Sequence, residues 1–164
     1  MRAGWRTPVL FGGRGPVYWA YSMAMERRLQ IAIDCSDPTR LAAFWAEVLS
    51  YTPVDPPSGH ESWAEFSASE AHEPGEQWMM IADPDGKGPT VLFHRVPEAK
   101  IGKNRLHLDV WPPRSDAEAD VRKVVETKVA QLVQLGATRL RTRDDDGEFY
   151  VVMQDPEGNE FCVA

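Results

Sequence analysis

The sequence has two cysteines, four histidines, and no uninterrupted apolar run longer than the six residues 41–46. Each shortage removes a class of protein. Two thiols cannot staple a disulfide-rich secreted scaffold. Cys35 and Cys162 both sit in apolar, strand-like contexts, so buried free thiols in a reducing cytoplasm are expected rather than a disulfide. Six apolar residues fall far short of the roughly 20 that a membrane-spanning helix needs. Positive charge is also short: 18 Lys and Arg stand against 25 Asp and Glu, for a net charge of −7. That balance argues against a nucleic-acid partner, which needs a basic face, and favours neutral or cationic ligands.

Residues 1–24 lack acidic side chains altogether but carry Arg2, Arg6 and Arg14, and Gly12, Gly13, Gly15 and Pro16 interrupt their apolar character. A secretory leader would need a continuous apolar stretch of roughly 7 to 15 residues, which is missing. The segment is expected to be a poorly ordered extension. Met23 and Met25 stand immediately before the patterned region and offer alternative starts.

What the chain does have is one pattern stated twice. From Arg28 a strand-like run, Arg-Leu-Gln-Ile-Ala-Ile-Asp, leads to a capped amphipathic stretch and closes on Asp83-Pro84-Asp85-Gly86 and a short apolar strand. From Arg105 a second run, Arg-Leu-His-Leu-Asp-Val, leads to another amphipathic stretch and closes on Asp155-Pro156-Glu157-Gly158 and Glu160-Phe161-Cys162-Val163. Internal self-similarity on this scale is the signature of a duplicated module. The composition, 43% hydrophobic and 26% charged over 164 residues, suits one globular unit of two packed halves.

Each half resolves into the same elements. In the first, 30–34 alternates as a half-buried strand. Asp37-Pro38 opens a helix with a stripe of Leu41, Phe44, Trp45, Val48 and Leu49. Strands are expected at 51–54, 77–82 and 90–94, with 55–76 as a long loop containing a short strand near Trp63. In the second half, a strand at 105–110 precedes a capping box at Ser115–Glu118. Val121, Val124, Val125, Val129, Leu132 and Val133 then form the helical stripe, which Gly136 ends. Strands at 138–142 and 149–154 flank Asp144-Asp145-Asp146-Gly147, read as a solvated hairpin turn because a calcium loop needs oxygens spread over about twelve residues.

The order β-α-β-β-β, the segment Asp34-Cys35-Ser36-Asp37-Pro38 before Leu41-Ala42-Ala43-Phe44-Trp45, the run Asn104-Arg105-Leu106-His107-Leu108-Asp109 and the ending Asp155-Pro156-Glu157-Gly158-Asn159-Glu160-Phe161 together resemble the vicinal oxygen chelate superfamily, in its glyoxalase-like branch of small bacterial proteins. The resemblance covers roughly 27–164. It implies an α+β fold of two pseudo-symmetric βαβββ modules, as in glyoxalases, bleomycin-resistance proteins and dihydroxybiphenyl dioxygenases. Module one would span 28–99 and module two 103–164, within a domain of 25–164. It also implies a cavity between the modules that often holds a divalent metal. Activities in the superfamily range from isomerase, lyase and extradiol dioxygenase chemistry to drug binding, so the fold leaves the function open.

Strand parity picks out candidate residues. Gln30 and His107 are both third in an Arg-Leu-X opening, and Glu160 on the last strand of module two finds its counterpart at Thr90 on the last strand of module one, with His94 one inward step further. Imidazole, carboxylate and amide oxygen suit zinc, nickel, manganese or iron. Gln30, His107, Glu160 and His94 are therefore the candidate metal ligands, with His107 and Glu160 the catalytic pair. Glyoxalases also use a glutamate where this chain has Thr90, which leaves the isomerase's base unassigned. The other reading of His107 is a hydrogen-bonded core residue, and His60 and His72 are expected at the surface. The leading expectation is a glyoxalase-like protein binding a small oxygen-rich metabolite, with metal-dependent lyase or isomerase chemistry. One alternative is a metal-free protein that sequesters a cationic or aromatic compound against Trp63, Trp78 and Trp111, with Asp34 and Asp109 supplying charge. An extradiol-type dioxygenase and a degenerate association domain are the others. The modules can pair within one chain or exchange between two, so a homodimer is an expected assembly.

Overall fold

The computed structural model describes residues 29–69, 72, 74–114, 120–145 and 147–164. The expected N-terminal extension 1–24, the capping box at 115–118 and Asp146 lie outside the described residues. Module one runs β1 (Gln30–Cys35), α1 (Pro38–Leu49), β2 (Thr52–Pro53), α2 (Trp63–Ser67), β3 (Trp78–Ala82) and β4 (Thr90–Arg95). Module two runs β5 (Leu108–Val110), α3 (Val121–Gln134), β6 (Thr138–Asp145), β7 (Glu148–Gln154) and β8 (Glu160–Val163). Each module builds a four-stranded sheet with the same order, β1-β4-β3-β2 and β5-β8-β7-β6. In both, the first and last strands pair in parallel and the rest antiparallel. The duplicated α+β architecture read from the sequence is therefore present, with four strands in each module.

The first helix forms where the sequence places its cap. Asp37 accepts the Arg40 backbone N–H at 3.0 Å, Pro38 occupies the first turn, and Leu41, Phe44, Trp45 and Val48 are buried. Asp120 caps α3, which buries Val125, Val129 and Leu132. Its stripe is narrower than expected, since Val121 and Val133 remain 38% and 41% exposed. Gly136, at φ +99°, follows the helix in the left-handed region that favours glycine. Both helices and the inner faces of both sheets share one core, in which Phe161 of module two lies against Phe44 and Trp45 of module one, with ring centroids 6.0 and 5.2 Å apart.

Four expectations need correction. The short strand near Trp63 is the helix α2. Ser62 accepts the Glu65 backbone N–H at 3.1 Å while the Glu65 carboxylate accepts the N–H of Glu61 at 2.6 Å, so Ser62-Trp63-Ala64-Glu65 works as a helix start. The strand expected at 51–54 shrinks to Thr52–Pro53. β5 begins only at Leu108, leaving Leu106 66% exposed. The parallel register sets Leu108 opposite Phe161, and the residues that 105 and 106 would need as partners belong to the turn before β8. Finally, Asp144 and Asp145 lie within β6, opposite Phe149 and Glu148, and Asp144 pairs with the Arg122 guanidinium.

The two Asp-Pro-acid-Gly turns differ in what they hold. Asp83 accepts only local N–H groups, from Asp85, Lys87 and Gly88. Asp155, 3% exposed, accepts the N–H groups of Glu157 and Asn159, the Asn159 side-chain amide, and the Trp45 indole N–H at 3.1 Å. Beside it, one oxygen of Glu157 accepts the Ser36 hydroxyl at 2.6 Å and the backbone N–H groups of Ser36 and Asp37 at 3.2 and 3.1 Å. The second turn ties module two to the start of α1.

Candidate functional site

Each sheet has one face on the core and one face turned away from it, and pairing assigns residues to the outer face. In module one, the outer rows are Gln30–Thr90, Ala32–Leu92–Met80 and Asp34–His94–Trp78. In module two, they are Glu160–Gln154–Thr138, Asp109–Cys162–Val152–Arg141, and Tyr150–Arg143. His107 and Trp111 stand one residue before and one residue after β5, and so extend these rows opposite Glu160 and Ala164. Glu160 and Thr90 occupy equivalent places, as do His107 and Gln30.

The outer face of module one is covered over β3 and β4, while its β1 residues Gln30, Ala32 and Asp34 are exposed. α2 lays Trp63 and Phe66 on Met80 and Leu92, and all four are buried. Trp63 donates its indole N–H to the Val54 carbonyl at 2.7 Å, a packing role. Trp78 stacks on His94 at 3.7 Å with the rings within 5° of parallel. His94 is half-buried, with its two nitrogens 3.9 and 3.8 Å from carboxylate oxygens of Asp34 and Glu76. His60 and His72, expected at the surface, are half-buried instead, with ring centroids 5.2 and 4.4 Å from that of Phe66. Gln30 is exposed and donates its amide N–H to the Thr90 hydroxyl at 3.3 Å.

The outer face of module two is open. His107, Asp109, Arg141 and Arg143 are exposed, Tyr150, Gln154, Glu160 and Cys162 are half-buried, and Trp111 is 70% exposed. His107, Asp109, Trp111, Tyr150 and Cys162 line a cleft of about 820 Å³. Glu160 instead faces a cleft of about 980 Å³ between the modules, walled by β1 and the connecting segment 98–106. One Glu160 oxygen accepts the Asn104 backbone N–H at 3.1 Å. The structure thus brings His107 and Glu160 to neighbouring strand positions and leaves Gln30 and His94 on the other sheet. Among the described residues, no group of three or more His, Cys, Asp and Glu is arranged to hold a metal ion. By donor type alone the exposed imidazole of His107 and the carboxylate of Glu160 suit such an ion, and they line different clefts.

A feature that parity alone did not single out is Cys162. Burial, its hydrogen bond to the Asp109 carboxylate and the negative charge there push its thiol up to about 11, with Arg141 pulling weakly the other way. At physiological pH Cys162 is therefore a neutral thiol and a weak nucleophile. Alkylation by iodoacetamide is expected to be slow at pH 8 and to rise steeply toward pH 11. Asp109→Asn removes the hydrogen bond to a charge and lowers the thiol's value, so alkylation at pH 8 should accelerate. Mass spectrometry of the Cys162 peptide reads both rates, and an unchanged rate in the variant would show that Asp109 does not control the thiol.

Residues 30–164 match the family model described as a glyoxalase-like domain. The chain belongs to the glyoxalase-like family. Its place in the vicinal oxygen chelate superfamily, expected from the motifs, stands. Among solved structures, this glyoxalase-like protein is similar to a glyoxalase/bleomycin resistance protein/dioxygenase family enzyme from Burkholderia phytofirmans, at 15% identity and TM-score 0.54, covering 82% of this chain and 94% of that one. It is similar to the fosfomycin resistance protein FosX from Listeria monocytogenes in complex with Mn(II) and dihydroxypropylphosphonic acid, at 12% identity and TM-score 0.55, covering 86% and 92%. A glyoxalase-related enzyme from Fulvimarina pelagi gives 15% identity and TM-score 0.55, covering 85% and 88%. At these identities the likeness is one of fold. No curated protein matches the chain by sequence. Among the described residues, no helix is long and apolar enough to cross a membrane.

Proposed function

We propose that this glyoxalase-like protein binds a small oxygen-rich metabolite over the outer face of module two and acts on it as a divalent-metal-dependent lyase or isomerase. The observation that carries the reading is the asymmetry of the two outer faces. α2 covers β3 and β4 in module one, whereas module two leaves His107, just before β5, and Glu160, at the start of β8, each facing an open cleft. His107, Glu160 and, from the equivalent strand start, Gln30 are the residues that would hold the ion, with His94 a more distant donor. Zinc, nickel, manganese or iron suits this set, and bound there it would polarise adjacent substrate oxygens. The chain's own residues supply orientation: the N–H of Asn104 holds one Glu160 oxygen in place. A cytoplasmic location and a homodimer belong to the same proposal.

The test is elemental analysis of untagged protein after exposure to Mn(II), Zn(II), Ni(II) and Fe(II). About one equivalent of metal supports the reading, and metal-free protein under all four conditions overturns it. A second reading, a metal-free binding protein, is favoured by the exposed indole of Trp111 beside Asp109 on the same cleft. In that case an aromatic cation should change tryptophan emission without any metal present.

A further inference from the structure

We infer that the outer face of module two takes a substrate bearing an oxyanion, a carboxylate or a phosphonate, and that Arg141 is the residue that binds it. The inference rests on the reading of this face as the substrate surface and adds the chemical class that the surface selects.

Three arginines lie along β6, at 139, 141 and 143. Arg139 is committed to both oxygens of Glu126, each at 2.7 Å, and also donates to the Thr142 hydroxyl. Arg143 has Asp145 at 3.8 Å. Arg141 has no hydrogen-bond or ion-pair partner among the described residues. The irregularity between Arg139 and Arg141 carries Arg141 onto the row Arg141–Val152–Cys162–Asp109, on the outer face. Between the guanidinium and Asp109 stand only the side chains of Val152, which is 7% exposed, and Cys162. Neither carries a formal charge at neutral pH. Asp109, the one acid in the row, lies opposite Cys162 on the neighbouring strand.

The face is therefore polarised, with carboxylate and imidazole along β8 and before β5 and an unspent guanidinium on β6. β6 and β8 are separated by β7, so the two ends stand about two strand spacings apart, roughly 10 Å. A guanidinium offers a planar fork of donors that matches a carboxylate or phosphonate. The net charge of −7 had favoured neutral or cationic ligands. The local arrangement overrides it, because a contact of a few ångströms outweighs charges screened beyond a Debye length of about 8 Å.

The test uses calorimetric titration of full-length protein, freed of metal, with phosphonoacetate and with malonate, and glycerol as the neutral comparison. Wild type should bind at least one of the anions more tightly than glycerol, and the tighter of the two names the anion. Arg141→Gln should weaken that binding tenfold or more, whereas Arg141→Lys, which keeps the charge without the fork, should retain part of it. The melting temperature of each variant controls for folding, and Arg141 is exposed on an edge strand. Equal affinity in wild type and Arg141→Gln, or no anion binding by wild type, would overturn the assignment. The metal-free titration keeps the two proposals apart: Arg141-dependent anion binding in a protein that takes up no metal would sink the metal reading alone.

Discussion

Replacing Asp155 with alanine is expected to destabilise the protein by about 3 kcal/mol, since it strands one buried and three partly buried donors at once and a buried donor typically costs about 1–3 kcal/mol when left unpaired. The donors are the Trp45 indole, the Asn159 side chain and two backbone N–H groups of the turn. For a domain of this size each kcal/mol moves the melting temperature by roughly 2–4 °C, so a fall of about 6–12 °C should be read by calorimetry. Asp155→Asn should fall between wild type and alanine. It keeps the oxygen that accepts the turn's N–H groups but sets an NH₂ against the Trp45 and Asn159 donors. Trp45→Phe removes the other partner of the long-range bond. Combined with Asp155→Ala it should cost less than the sum of the single changes, because the two residues share one interaction. A melting temperature within 2 °C of wild type for Asp155→Ala would show that the turn does not anchor the modules. Asp83→Ala, at the equivalent turn of module one, should cost less, because Asp83 accepts only local N–H groups.

His107→Ala and Glu160→Gln are each expected to abolish stoichiometric metal uptake while leaving the secondary structure unchanged. His107 is exposed and precedes β5, and among the described residues the Glu160 side chain accepts one hydrogen bond, from the Asn104 N–H, so neither holds the sheet together. That bond caps the stability loss of Glu160→Gln at roughly 1 kcal/mol. Gln30→Ala should weaken uptake without abolishing it, since an amide is the poorest donor of the three. Metal content by mass spectrometry and melting temperature, measured on the same samples, separate this from the competing view of His107 and Glu160 as structural residues. Metal retained in both variants would end the assignment of these two side chains. So would a metal-free wild type whose variants melt well below it.

Much of the fold was legible because it depends on short-range chemistry repeated twice. Alternation marked β1, a cap and Pro38 marked α1, and the paired Asp-Pro-acid-Gly turns marked the last hairpin of each module. The errors arose where a neighbour decided. Residues 105–107 alternate like a strand, yet β8 begins too late to pair with the first of them. Asp144 looks like a turn residue, but the Arg122 guanidinium gives it a partner within a strand. The helix around Trp63 did carry a local signal, the Ser62-Trp63-Ala64-Glu65 start, overlooked in a stretch that otherwise reads as loop.

Sequence by itself determined the duplication, the α+β order of each module and the equivalence of Gln30 with His107 and of Thr90 with Glu160, because strand parity and helix caps act over a few residues. Only the tertiary structure decided which outer face is open. That outcome depends on where α2 docks, and docking is governed by the apolar area that Trp63 and Phe66 remove from water on Met80 and Leu92, residues distant in the chain. Tertiary structure likewise made Asp155 an anchor between modules, left Asp83 a local turn, and left Arg141 without a partner among the described residues where Arg139 found one. These are differences in spatial neighbours among residues whose local sequence patterns look alike.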